Sequence, residues 1–277
     1  MHSLLQDLRY GARILGKNPG FASIAILTLA LGIGANATIF SVVEAVLVRS
    51  LPYEDARGLV WVSEVNPGRV MSESNVAPAT FLDWQAAQQS FESLAAFSES
   101  TFVFTGMGDP ERLKSASVSA AFFPMLGVQP VMGRNFTEEE DRVGARPVAI
   151  LSHTLWRRRF DGDPNIVGSA ITLENRSYEV VGVAPAGFKM PANAEADECE
   201  LWTPLMPGIT NPRSLRGAHY LPVIGRLKAA STPEQAEADL NAIDEHITES
   251  DSSYAGYRTH IVSLHQYITG DVSQALR

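Results

Sequence analysis

Hydrophobic and polar positions divide this chain into one long apolar segment and a longer region of short, changing patterns. From Phe21 to Phe40 no residue is charged. Helical residues rise about 1.5 Å each, so this run covers about 30 Å, the hydrocarbon thickness of a bilayer. The pattern predicts a membrane-spanning helix. Apolar character continues from Ser41 to Val48, broken only by Glu44, and predicts a stalk beyond the membrane. Gly32, Gly34, Ala35 and Ala37 form a small-residue face open to close approach by another helix, or are simply glycines and alanines tolerated in a span. Ahead of the span, Leu4, Leu5, Leu8, Ala12 and Leu15 recur at helical spacing, with Asp7, Arg9, Arg13 and Lys17 off that stripe. This reads as a short amphipathic helix on the membrane surface, ended by Asn18-Pro19-Gly20. Basic residues precede the span and the sequence after it is charge-balanced, which places the N-terminus in the cytoplasm and the rest outside. Ala35-Asn36-Ala37 has the form of a signal-peptide cleavage site, but the apolar run continues past it, which favours an uncleaved anchor.

After the span the periodicity shortens. Leu59–Val65 alternates as a strand and Asn66-Pro67-Gly68 ends it. Residues 78–89 suit a helix, 91–105 and 112–119 strands, 121–126 a short helix, and 147–151 a buried strand. Ser152 caps a helix reaching Phe160. Residues 171–173 and 178–183 flank Asn175-Arg176 as a hairpin, and 220–227 is a strand. Thr232-Pro233-Glu234-Gln235 is a capping box with proline in the first turn. Ala236, Leu240, Ile243 and Ile247 then share one helix face, and 259–264 is the last strand. Strands alternate with helices at both ends around a strand-rich middle, which predicts a mixed α/β (α+β) domain split by an inserted second lobe.

Charge narrows the function. The net charge is −9 over 277 residues. The four basic and two acidic side chains of residues 1–50 leave 18 basic and 29 acidic ones in the remainder, a net of −11. Such a domain is repelled by phosphate backbones, which excludes nucleic acid as a partner. Cys199 is the only cysteine, so no intrachain disulfide forms, and it reads as a small buried hydrophobe.

Chemical motifs are missing. Lys114-Ser115 has Leu113 where a phosphate-binding loop needs glycine, and there is no Gly-x-Ser-x-Gly elbow. The histidines (His2, His153, His219, His246, His260 and His265) have no zinc-ligand spacing and read as surface or locally bonded. Glu138 to Asp141 read as acids in a capped helical turn, Arg157-Arg158-Arg159 as a solvated helix face, and Glu195, Asp197, Glu198 and Glu200 as an exposed acidic loop. Asn-x-Ser/Thr triplets at Asn36, Asn135 and Asn175 read as chance, the first lying within the span. No catalytic, cofactor-binding or metal-binding residue is expected, and no cofactor.

Several segments together resemble a known family. Asp7-Leu8-Arg9-Tyr10-Gly11-Ala12-Arg13, Lys17-Asn18-Pro19-Gly20-Phe21 and Leu29-Ala30-Leu31-Gly32-Ile33-Gly34-Ala35-Asn36 look like the opening of MacB-like, FtsX-like ABC transporter permeases, particularly the acidobacterial duplicated orphan permease type. The run from Phe122 to Pro130, Gly133-Arg134-Asn135-Phe136, Val148 to Ser152 and Trp156 to Phe160 are similar to that family's periplasmic core. So are Val181 to Pro185, Leu201-Trp202-Thr203-Pro204-Leu205 and Arg226-Leu227-Lys228. The resemblance covers essentially the whole chain.

It implies a cytoplasmic amphipathic helix at 1–20, a transmembrane helix and stalk at 21–48, and a periplasmic core domain at 49–277. Within the core, the first lobe takes about 49–101 and 218–277, and the inserted lobe about 102–217. It also implies a non-enzymatic permease of the bacterial inner membrane, single-pass in this chain. Its periplasmic lobes would be moved by ATP hydrolysis in a separate ABC ATPase subunit, with a second permease copy and a periplasmic adaptor protein as further partners. In the family more membrane helices follow the core, so a chain ending at Arg277 reads as truncated before them. The alternative is a membrane-anchored extracytoplasmic module that binds or senses a ligand, or recruits a partner, without transport.

Overall fold

The computed structural model describes residues 19–43, 51–68, 73–106, 108–191 and 199–275. Two compact units are present, residues 1–50 and 51–277. The amphipathic helix expected over 1–20 lies outside the described residues except for Pro19 and Gly20, as does the stalk beyond Val43.

In the first unit, helix α1 runs Pro19–Val43, 25 residues without a charge. It begins two residues before the predicted span because Pro19, expected to break the chain, instead starts the helix. Proline suits a first turn, where its missing N–H has no intrahelical partner to lose. Ile24, Leu27, Leu29, Leu31 and Ile33 are all more than 60% exposed. Among the described residues no helix is long and apolar enough to cross a membrane.

The second unit is built on one mixed sheet. Its strands are β1 (Leu59–Val65), β2 (Glu73–Ser74), β3 (Phe91–Thr105), β4 (Glu111–Val118), β5 (Met132–Gly133), β6 (Val148–Leu151), β7 (Ala170–Leu173), β8 (Arg176–Val183), β9 (Leu201–Pro204), β10 (Val223–Leu227) and β11 (Arg258–Ser263). They lie in the order β11-β1-β10-β3-β4-β9-β6-β8-β5, with β2 beside β1 and β7 beside β3 and β8. The β4–β9 and β6–β8 pairs are parallel and the others antiparallel. The long strand β3 joins two halves of the sheet. Its residues 91–96 pair with β10, and 97–104 pair with β4.

Five helices complete this unit: α2 (Pro78–Ala87), α3 (Phe122–Met125), α4 (His153–Arg159), α5 (Pro233–Ser250) and α6 (Leu264–Ala275). Strand β1 explains the layering. Leu59 and Trp61 enter a core with Phe97, Phe122 and Leu264, while Val60 and Val62 enter another with Phe81, Trp84 and Leu240. Successive strand residues face opposite sides, so a strand covered on both faces has no polar side to spare. Six of its seven residues are buried.

Local predictions hold where capping and turn chemistry are explicit. Ser152 Oγ accepts from Leu155 N at 3.0 Å, and both bonds of the Thr232–Gln235 box are made. The hairpin turn sits one residue earlier than expected. Leu173 pairs with Arg176, and Glu174 and Asn175 both take positive φ, 48° and 63°. That is the two-residue mirror-image turn that suits strand twist. Strand β9 and helix α6 were not expected as elements. Residues 201–204 alternate poorly because all four are buried.

Candidate functional site: the junction of the entry segment, β1 and the last helix

The entry segment begins at Leu51. Leu51, Tyr53 and Ala56 pack on the Trp61–Phe122 core, and a single turn at Ala56–Gly58 leads into β1. Arg226, on the neighbouring strand β10, fastens this segment. Its Nε and Nη2 donate to Met125 O at 2.9 and 2.7 Å. Nη2 also donates to Glu54 O at 2.6 Å, and Nη1 to Asp55 O at 3.1 Å. One guanidinium thus ties the entry strand to the α3 turn. A planar fork of five donors can do this and an ammonium cannot. Glu54 N adds a bond to Leu126 O at 3.3 Å. Gly127 follows with φ 71°, and a Cβ there would strike the Glu54 side chain. This accounts for glycine in the Phe122–Pro130 run.

The last helix lies beside the entry. Strand β11 pairs with β1 over six residues and leads straight into α6. Leu264 is fully buried, Ile268 is partly buried, and Tyr267 stacks on Trp61 with centroids 3.7 Å apart. Such contact adds about 0.5–1.5 kcal/mol beyond area burial. The entry segment and the last helix therefore act on one strand, β1. Trp61 appears in the sequence only as one residue of a strand pattern, and Arg226 only within the Arg226-Leu227-Lys228 run, which does not say what the side chain binds.

Charged clusters settle into structural roles. Glu140 accepts a two-pronged pair from Arg134 at 2.7 and 2.8 Å, and a bond from Thr137 N at 3.1 Å. The Arg134 guanidinium holds its carboxyl down at about 2. Asp141 accepts from Ala120 N at 2.9 Å and Met206 N at 2.8 Å, and burial pushes its carboxyl up. The expected capped turn is present: Glu140 N donates to Thr137 Oγ1 at 3.4 Å, Asp141 N donates to Thr137 O at 3.2 Å, and the Glu140 carboxylate closes the box on Thr137 N. The arginine run faces solvent at Arg157 and Arg158, and ion pairs also tie it down. Arg158 pairs with Glu111 and Glu200, each at 2.7 Å, and Arg159 pairs with Glu111 while lying over Phe104. Residues 195, 197 and 198 of the acidic loop lie outside the described residues, and Glu200 is part-buried. Cys199 is half-buried rather than buried.

Two hollows occur. A cleft of about 580 Å³ is lined by Lys114, Ser152, Arg158, Lys189, Cys199 and Trp202. A groove of about 680 Å³ is lined by Phe81, Leu82, Phe136, Asp141, Arg142 and Met206. Among the described residues no group of His, Cys, Asp and Glu converges to hold a metal.

Strands β1 and β11 thus lie side by side in a sheet covered on both faces. The chain belongs to the MacB-like periplasmic core domain family, whose profile matches residues 22–243. It is similar to the macrolide export ATP-binding/permease protein MacB of Bdellovibrio bacteriovorus, with 25% identity over 218 residues, 77% of this chain and 31% of that protein. The MacB protein of Rhodospirillum rubrum is 26% identical over 115 residues, 41% of this chain and 17% of that protein. The chain thus spans under a third of either relative. Its fold matches the periplasmic region of MacB from Actinobacillus actinomycetemcomitans, with TM-score 0.56 and 14% identity, covering 80% of this chain and 93% of that one. A domain of a putative permease from Porphyromonas gingivalis matches with TM-score 0.55 and 14% identity, covering 76% and 90%.

Proposed function

We propose that this chain is the permease component of an ABC transporter, and that its core domain transmits movement rather than performing chemistry. Helix α1 crosses the bacterial inner membrane once, with the N-terminus in the cytoplasm and residues 49–277 in the periplasm. A separate ATPase subunit hydrolyses ATP in the cytoplasm, and a second permease copy and a periplasmic adaptor complete the assembly. The lobes meet along β3, with 102–217 inserted between 49–101 and 218–277.

The observation that carries this reading is the Arg226 clamp. A pull on residues 51–55 reaches β10 and α3 through hydrogen bonds to a charged donor, and reaches α6 through β1. A lever needs such stiffness at its attachment and a two-state element beyond it. A ligand-sensing module would need neither.

Two measurements test it. A phosphatase reporter active only in the periplasm, fused after Arg277, is expected to be active, with the chain retained in membranes after an alkaline wash. Recovery of the intact chain from the soluble fraction would refute the anchor. In the assembled complex, with Cys199 replaced by Ser, labels at Glu73 and Val143 are expected to change separation between ATP-bound and ADP-bound states. An unchanged separation would remove the lever.

A further inference from the structure

Glu64 on β1 and Asp244 on α5 are both buried, 0% and 3% exposed, and lie on either side of one hydroxyl. Tyr254 Oη is 2.9 Å from Glu64 Oε1 and 3.1 Å from Asp244 Oδ1. Trp84 Nε1 donates to Asp244 Oδ1 at 2.8 Å, and Thr259 Oγ1 donates to Oδ2 at 2.7 Å. His219 Nδ1 meets the other oxygen of Glu64, and its ring stacks on Tyr257. A phenol has one hydrogen to give. Two ionised carboxylates beside it leave one of the two short oxygen–oxygen contacts without a hydrogen, and two like charges out of water.

One added proton repairs both faults. With a proton on Asp244, its O–H donates to Tyr254 Oη, and Tyr254 donates its own hydrogen to Glu64 Oε1. Glu64 remains the only anion and faces His219. We infer that Asp244, Tyr254, Glu64 and His219 form one proton-holding cluster, and that this proton fastens the segment 205–222, the return connection into β10. That segment carries His219 and the Val76–Leu221 bridge, whose two backbone bonds are 2.9 and 3.0 Å.

The remaining facing groups are few. From segment 205–222, Arg216 lies over the Tyr254 ring at 5.9 Å and pairs with Asp83 of α2. From β2, Glu73 is occupied by Ser63 at 2.8 Å. From the turn after α5, Asp251 is held by Ser253, and from β11, His260 pairs with Glu237. None of these is bonded to the Tyr254 hydroxyl. Burial pushes the Asp244 carboxyl up to about 6, the direction the donor shortage requires. Because that value is raised, the fastening is complete at low pH and is lost as pH rises through about 6.

The test uses the full chain in lipid nanodiscs. Amide exchange at Val76 and Leu221, corrected for intrinsic rates, is followed from pH 5 to 8. Protection in the wild type is expected to fall about tenfold over this range. Asp244→Asn leaves a single carboxylate beside the hydroxyl and is expected to flatten the profile. Glu64→Gln does the same from the other side and serves if the first variant fails to fold. A flat wild-type profile, or an unchanged slope in the folded variant, overturns the inference.

Discussion

The indole of Trp61 and the ring of Tyr267 lie face to face, 3.7 Å apart and inclined by 8°. Trp61 belongs to the strand that the entry segment feeds, and Tyr267 to helix α6, which follows β11. Tyr267 is 40% exposed, so its ring lies at the edge of the core. Replacing it with alanine removes the stack without opening the core. Tyr267→Ala is expected to cost about 1–2 kcal/mol and to raise amide exchange within 264–270 while leaving β3 unchanged. Equal loosening of α6 and β3 would show that the stack is not a local fastening.

Arg226 is the second attachment. Its side chain is 13% exposed and satisfies the carbonyls of Met125, Glu54 and Asp55. Arg226→Met leaves three carbonyls short of a charged donor. Hydrogen bonds of this kind contribute about 1.5–3 kcal/mol each, but solvent can reach some of these carbonyls. A total loss of about 3 kcal/mol in urea unfolding is expected. Arg226→Lys should recover less than half of it, because an ammonium cannot span all three. Full recovery by lysine would mean that charge alone matters there.

The sequence pattern was legible where one residue type has one use. Phe91–Thr105 was expected as a strand and is one, because its bulky and β-branched residues suit a pleat on either face. The Thr232–Gln235 box fixed the start of α5. The same helix also hid a polar residue. Asp244 shares the inward face with Leu240 and Ile247, and periodicity of apolar residues cannot register a carboxylate buried among them. Its partners Glu64, Tyr254 and Trp84 are 180, 10 and 160 residues away in sequence, positions no local rule connects. The joint at Arg226 was invisible for a similar reason, since its acceptors are backbone carbonyls that carry no side-chain signature. Helix α6 was missed because its apolar residues are few and Gly270 weakens the helical reading.

Glu140 gives the domain an acid limit. Its side chain is 6% exposed and paired to Arg134, which is 44% exposed. The folded carboxyl sits at about 2 against an ordinary 4.5. A lowered value means that the stabilisation is present above pH 4.5 and is lost as pH falls through about 2. Solvent around Arg134 screens the pair, so the contribution at neutral pH is about 2 kcal/mol. Glu140→Gln is expected to remove that much at pH 7 and almost nothing at pH 2. A difference that persists at pH 2 would assign the role to packing instead of charge.

Gly133 and Gly187 separate collision from backbone strain. Both have positive φ, 77° and 76°. A side chain on Gly187 meets nothing within 4 Å, whereas one on Gly133 runs into the Val181 carbonyl across the β5–β8 pair. Left-handed backbone costs an alanine about 1–2 kcal/mol, so Gly187→Ala should lose that and no more. At Gly133 the obstacle is backbone that must move apart, breaking Arg134 N to Val181 O at 2.9 Å and Val131 N to Val183 O at 2.8 Å. Gly133→Ala is therefore expected to lose about 4 kcal/mol and to expose Phe136, which follows it into the core. Thermal unfolding of the two variants side by side decides the matter. Equal losses would mean that β5 is free to lift from β8, and that the Gly133-Arg134-Asn135-Phe136 run is not held by close backbone approach.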